Sequence, residues 1–251
     1  MRGVPGPMIL QSAARSDVGR RRRANEDCYA IAAEHGFFLV ADGMGGHTAG
    51  QLASSLAAEA AVKALQTLDG SEATLTEKLR CSVAAANREI HVTVQARPEL
   101  SGMGTTLVSL LAVDGRVALA HVGDSRAYLI RGGRIRQLTD DHSVVGELVR
   151  RREITESAAR EHPHRHVLTR AVGIRRDVAP DLAELSSHPG DVFVLCSDGL
   201  TGLVRNEEIA QAVSSNSDLD SVCASLVDLA NERGGDDNIT VVIVRYEKEA
   251  V

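Results

Sequence analysis

The sequence predicts an α+β fold of four layers: two antiparallel β-sheets packed face to face, each flanked on its outside by a pair of α-helices. Three observations carry this reading. Short β-rich segments joined by tight turns fall into two groups, and each group is associated with two segments of helical apolar period. The regular strand-helix-strand alternation that builds a parallel sheet is missing.

Taken in order, residues 1–8 are rich in Gly and Pro without periodicity and read as a disordered tail. Tyr29 to Ala33 and Phe37 to Ala41 read as strands around a Glu34-His35-Gly36 turn. From Gln51 to Leu68 an Ala-rich segment repeats apolar residues four apart (Leu52, Leu56, Ala60, Ala64), the period of a helix. A second helix follows through Leu75, Leu79, Val83, Ala86, Ile90 and Val94, with Thr74 or Thr76 to cap it and Pro98 beyond its end. Thr106 to Val113 and Arg116 to Val122 flank Asp114-Gly115, a dipeptide that accepts positive φ at both turn positions. Ala127 to Arg131 and Arg134 to Leu138 flank Gly132-Gly133 in the same way, and the four strands are expected to form one antiparallel meander. Residues 139–170 are polar and read as a surface insertion with helical patches near Val144 to Arg151 and Ser157 to Glu161. Val192 to Cys196 is a strand, Glu207 to Val213 and Leu219 to Glu232 are helices, and Ile239 to Arg245 is the last strand. No linker or repeat divides residues 9–251, so one domain is expected.

The 251 residues carry 28 Lys and Arg against 34 Asp and Glu, a net charge of −6, and no Trp, which together argue against nucleic acid as a partner. The apolar runs fall well short of the roughly 18 to 20 residues that span a bilayer, so no membrane anchor is expected. The first residues lack the apolar stretch of a secretory leader. Cysteines at 28, 81, 196 and 223 have no metal-binding or paired spacing, which suits a reducing, cytoplasmic setting.

Acids recur at the ends of strands. Glu26 and Asp27 precede the strand at Tyr29, Asp42 follows Phe37 to Ala41, Asp198 follows Val192 to Cys196, and Asp237 precedes Ile239. Singly, Asp-Gly after a strand is ordinarily just a turn. Jointly, carboxylates without His or Cys are the donor set that hard cations such as Mg²⁺ and Mn²⁺ prefer, and two such ions close together need a bridging carboxylate. Asp42 is the natural bridge.

Six segments make the pattern specific: Ser-Asp-Val-Gly-Arg-Arg-Arg-Arg-Ala-Asn-Glu-Asp (16–27), Ala-Asp-Gly-Met-Gly-Gly-His (41–47), Gly-Met-Gly-Thr-Thr (102–106), Val-Gly-Asp-Ser-Arg (122–126), Cys-Ser-Asp-Gly-Leu (196–200) and Gly-Gly-Asp-Asp-Asn-Ile-Thr (234–240). In this order and spacing they resemble the signature of the metal-dependent protein phosphatases (protein phosphatase type 2C), in their bacterial serine/threonine branch. The resemblance implies the same sandwich of sheets and helices. It implies that Asp42 bridges two Mn²⁺ or Mg²⁺ ions, that Glu26 and the Gly43 carbonyl complete one, and that Asp198 and Asp237 hold the other. Asp124, with Asp198, would hold a third, weaker ion; the local alternative makes Asp124 a turn acid paired with Arg126. Asp27 would orient water in the metal shell, and Arg22 would grip the substrate phosphate, its fork matching two phosphate oxygens. Arg20, Arg21 and Arg23 read as solvated.

One departure is visible. Eukaryotic members carry His directly after the Asp-Gly, assigned there as general acid; this chain has Met44, with His47 as a substitute candidate. His142, His162, His164 and His166 fall in the 139–170 insertion, which corresponds to the family's variable flap, and are read as solvent-facing. The implied reaction is hydrolysis of phosphoserine and phosphothreonine by direct attack of a metal-bridging water, so Cys196 is a strand residue and not a nucleophile. The implied partners are phosphorylated proteins, a Ser/Thr kinase and its substrates, in signal transduction. Two alternatives share these residues: a pseudophosphatase that binds phosphoproteins without metals, and a phosphohydrolase of small phosphoesters.

Overall fold

Alternation of apolar side chains on both faces of the strands decides the architecture. In the strand Phe37–Met44, Phe37, Leu39 and Ala41 point one way and Phe38 and Val40 the other, and all five are buried. A strand apolar on both faces needs cover on both. The computed structural model describes residues 8–46 and 48–248, and among these it has eleven strands, seven α-helices and two single-turn 3₁₀ helices.

One sheet orders β1 (Met8–Asp17), β11 (Ile239–Lys248), β10 (Val192–Cys196), β7 (Arg126–Arg131) and β8 (Arg134–Gln137). The other orders β2 (Asp27–Ala32), β3 (Phe37–Met44), β5 (Leu107–Val113), β6 (Arg116–Val122) and β9 (Asp181–Ser186), with the short β4 (Gly104–Thr105) on β3. The inner faces meet in a core of Phe38, Val40, Leu110 and Leu119 against Leu129, Phe193, Leu195 and Val242. Helices α1 (Thr48–Thr67) and α2 (Leu75–Ala96) close the outer face of the second sheet through Ala53, Ala57, Leu79 and Ile90. After α3 (Val144–Arg150), α4 (Glu156–Arg160) and the one-turn α5 (Asp198–Thr201), α6 (Asn206–Ser215) and α7 (Leu219–Glu232) cover the first sheet through Ile209, Val222 and Leu226. Full burial of each Leu, Ile, Val or Phe contributes about 1.5–3 kcal/mol, so these three cores hold the four layers together. The four-layer expectation stands.

Local chemistry sets the ends of the elements. Thr74 caps α2 in a reciprocal capping box with Glu77. Asp114 and Gly115 take φ of 49° and 80° in the β5–β6 turn, and Gly132 and Gly133 take 56° and 74° in the β7–β8 turn.

The expected meander is corrected. The two hairpins lie in different sheets, because the chain crosses between β6 and β7 through Gly123, where φ is 110° and an added Cβ would stand 2.6 Å from the Thr106 side chain. Three strands escape the sequence reading, among them β4, whose two residues are too few to show a period. The edge strand β1 begins at Met8, inside the expected tail, and among its residues 9–17 only Ala13 is buried; residues 1–7 lie outside the described residues. In β9 the half-buried residues are Leu182 and Leu185, three apart, which hides the two-residue period.

Candidate metal centre

The β2–β3 register sets Asp27 directly opposite Asp42. Backbone groups then fix each acid. The Asp42 amide donates to Thr106 Oγ1 (2.9 Å), and its carbonyl accepts from the Thr106 amide (2.8 Å) and from Thr105 Oγ1 (2.9 Å). The Gly43 amide donates to the Glu26 carbonyl at 3.1 Å, and Ser54 Oγ on α1 donates to the same oxygen at 2.6 Å. Helix α1 comes this close only because its first turn contains a glycine, Gly50. A Cβ at Gly50 would lie 1.8 Å from Glu26 Oε2, and one at Gly43 would lie 2.0 Å from the Gly50 carbonyl.

Asn238 joins the opposite side. Its Oδ1 accepts from the Glu26 amide (2.8 Å), while Nδ2 donates to the Val18 (2.9 Å) and Ala24 (3.0 Å) carbonyls. The loop of Arg20 to Arg23 is thereby tied to the segment before β11 that carries Asp237. Gly19, at φ 80°, and Gly235, at φ 53°, let the Arg20 and Arg21 amides donate to the Gly235 carbonyl. Arg22 Nη2 then donates to Asp237 Oδ2 at 2.7 Å. Ser197 Oγ donates to Asp27 Oδ2 at 2.8 Å. Asp198 opens α5, and Asp124 stands in the turn between β6 and β7.

The acids of this group outnumber the cations beside them, and among the described residues only Asp237 has a direct ion pair with an arginine, Arg22. Burial pushes the Asp27 carboxyl up to about 7, with Asp198 and Asp237 adding to the rise. Asp42 and Asp124 are raised well above the carboxylate range, by burial first and then by neighbouring acids, Asp27 and Asp198 foremost for Asp42 and Asp198 for Asp124. Burial and then Asp198 raise Asp237, against the pull of Arg22. Asp27 Oδ1 and Asp198 Oδ1 are buried without any hydrogen-bond partner. Buried polar atoms are ordinarily satisfied, and carboxylates that repel one another stay together when a cation lies among them. Oxygen-only donors with two orphaned oxygens therefore fit hard divalent cations. Among the described residues no three His, Cys, Asp or Glu side chains close on one point. Asp27, Asp42, Asp124, Asp198 and Asp237 nonetheless lie near enough to raise one another, and with Glu26 they form an acidic basin. Asp124, Asp198, Asp237 and Arg22 border a cleft of about 690 Å³ whose far wall is α3, α4 and the segment to His166.

The structure thus gathers Glu26, Asp27, Asp42, Gly43, Asp124, Asp198, Asp237 and Arg22 at one rim. Two readings change. Asp124 is not paired with Arg126, whose guanidinium forks onto Asp141 at 2.7 and 2.9 Å. His142 is buried at 3% exposure, unlike its exposed neighbours His164 and His166. His166 Nδ1 lies 3.8 Å from Asp198 Oδ2. His47 lies outside the described residues. Cys196 is buried as expected, which pushes its thiol up to about 12 and leaves it inert at neutral pH. Sequence reasoning missed Gly50, Thr106, Ser197 and Asn238 as supports; Thr106, Ser197 and Asn238 stand inside the quoted segments, and their acidic neighbours drew the attention.

Over 238 residues the chain is 41% identical to the serine/threonine protein phosphatase PstP of Mycobacterium tuberculosis, covering 94% of this chain and 45% of that protein. The chain thus spans about half the length of that relative. It is 38% identical over 246 residues to the serine/threonine phosphatase stp of Listeria monocytogenes, covering 95% of this chain and 96% of the relative. Among solved structures, the M. tuberculosis phosphatase PstP/Ppp superposes with a TM-score of 0.87 at 40% identity, covering 95% of this chain and 99% of that one. The PstP catalytic domain in complex with two manganese ions gives 0.86 at 38% identity over 96% and 100% of the two chains. The protein phosphatase 2C family matches residues 22–239, a span that takes in every acid of the basin, and the chain belongs to that family.

Proposed function

We propose that this chain hydrolyses phosphoserine and phosphothreonine in proteins, using two Mn²⁺ or Mg²⁺ ions held by the acidic basin. The observation that carries the reading is the set of mutually repelling, partly orphaned carboxylates around Asp42 at the mouth of a cleft bordered by Arg22. Asp42 bridges the ions, Glu26 and the Gly43 carbonyl serve one, Asp198 and Asp237 serve the other, and Asp124 with Asp198 offers a weaker third position. When bound, the ions supply a water of lowered pKa and neutralise charge on the transferring phosphoryl group, so no covalent intermediate is needed.

The side chains do the placing. Arg22 spends Nη2 on Asp237, which holds the guanidinium at the cleft mouth and leaves its other N–H groups for phosphate oxygens. Asp27, anchored through Oδ2 by Ser197, keeps Oδ1 free to orient water. The two manganese ions of the PstP catalytic domain and the phosphatase names of the relatives support the assignment.

Residues 9–251 act as one catalytic domain, with 139–170 as its flap. The partners are phosphorylated proteins, with a Ser/Thr kinase opposing this activity in cytoplasmic signalling. No helix among the described residues is long and apolar enough to cross a membrane.

The test is hydrolysis of p-nitrophenyl phosphate and of a phosphothreonine peptide by the purified chain. Activity should vanish in excess EDTA and return with Mn²⁺ or Mg²⁺. Full activity in chelator overturns the two-metal reading, and peptide binding without turnover in Mn²⁺ selects the pseudophosphatase.

A further inference from the structure

His142 does not line the cleft, although both its neighbours, Asp141 and Ser143, do. Its hydrogen bonds run elsewhere. The His142 amide donates to the Gly123 carbonyl at 2.7 Å, and the Gly123 amide donates to Nδ1 at 3.1 Å, so one residue clasps both backbone groups of Gly123, the residue that precedes Asp124. The His142 carbonyl accepts from the Thr169 amide at 2.8 Å, and Ser143 bridges Leu168, so the start and end of the 139–170 insertion are sewn together at this point. With Nδ1 taken by an N–H donor, the ring proton sits on Nε2, which donates to Asp181 Oδ2 at 3.0 Å. His121 backs the ring, centroid to centroid 4.5 Å, and burial holds both imidazoles neutral.

Beyond Gly123 the chain of contacts reaches the acids. Gly123 packs against Thr106, which pins the Asp42 backbone from both its amide and its hydroxyl, and Thr106 Oγ1 lies 2.6 Å from Ser125 Oγ on the other side of Asp124. A shift of the Gly123 peptide therefore moves Asp124 directly and is felt at Asp42.

We propose that His142 is a positioning residue of the phosphatase reaction: it locks both stems of the insertion to the Gly123–Asp124 turn, so that the placement of the cleft's far wall and the aim of Asp124 are set together. This rests on the function proposed above. A histidine suits the task because its ring offers an acceptor to the turn and a donor to Asp181 from one rigid plane. Asparagine can place its amide oxygen near the Nδ1 position and keep the Gly123 bond. Glutamine can place its amide nitrogen near the Nε2 position and keep only the Asp181 bond.

The experiment compares H142A, H142N and H142Q with the parent by kcat and KM on a phosphothreonine peptide, by the Mn²⁺ concentration for half-maximal rate, and by hydrogen exchange of the Gly123 and Thr169 amides. H142A and H142Q should lose kcat about tenfold, short of the hundredfold expected for a misplaced reacting group, and should need more Mn²⁺. H142N should recover most of both, and the Gly123 amide should stay protected in H142N alone among the three. Equal kinetics in all four proteins, or equal losses in all three variants, would overturn the proposal, since a merely structural histidine does not distinguish Asn from Gln. Should H142A fail to fold, the Asn–Gln comparison stands by itself. Exchange is read without metal or substrate, so an inactive parent would count against the function while the Gly123 and Thr169 amides still decide the clamp.

Discussion

Asp237 stands where three demands meet: it accepts from the Asn238 amide, pairs with Arg22, and faces Asp198 across the basin. Asp237→Asn keeps the shape and removes one negative charge from a residue proposed to hold a divalent cation. The kcat at fixed Mn²⁺ should fall by about 10²-fold or more, as when transition-state electrostatics are lost. Recovery at high Mn²⁺ would place the defect in affinity; parent-like turnover would transfer the role to Asp236. At this scale the sequence was informative, because chemistry-bearing residues sit in short segments whose order is visible. What it did not disclose was satisfaction: that Arg126 turns to Asp141 and not to Asp124, and that His142 is buried while His166 is exposed, follow from which side chains the fold brings into range.

Helix α1 carries the most specific lesson at the level of elements. Its Ala-rich pattern announced a helix, yet its relation to the basin depends on Gly50, whose missing Cβ leaves room for Glu26 Oε2. Glycine to alanine inside a helix ordinarily stabilises by about 1 kcal/mol. Gly50→Ala should instead cancel that gain in the melting temperature and force the buried Glu26 carboxylate aside, seen as weaker Mn²⁺ binding by calorimetry and lower activity at limiting metal. Unaltered Mn²⁺ affinity would remove Glu26 from the ligand set. The hairpins show the complementary failure: both turns were legible from Asp114-Gly115 and Gly132-Gly133, but not that β6 and β7 belong to different sheets. Turn chemistry is local, whereas the crossing at Gly123 is dictated by covering two faces at once.

For the molecule as a whole, the basin is a place where folding gathers charge against its own repulsion, and bound cations should reverse the cost. Saturating Mn²⁺, at about a hundred times its dissociation constant, adds about 2.7 kcal/mol of stability if the folded state alone binds it. At roughly 2 to 4 °C per kcal/mol for a chain of this size, the melting temperature in Mn²⁺ should exceed that in EDTA by about 5 to 10 °C. Scanning calorimetry in the two conditions measures it, and coincident transitions would mean that the acids hold no ion. The sequence by itself determined the layer architecture, the two tight hairpins and the identities of the acids, because apolar period, positive-φ turn residues and oxygen-only donors are properties of neighbouring residues. Tertiary structure decided the edge strands β1 and β9, the division of the strands between sheets, and the supports behind the acids (Asn238, Thr106, Gly50 and His142), because each of these depends on what comes to lie beside a residue from a distant part of the chain, and a one-dimensional pattern carries no record of that neighbour.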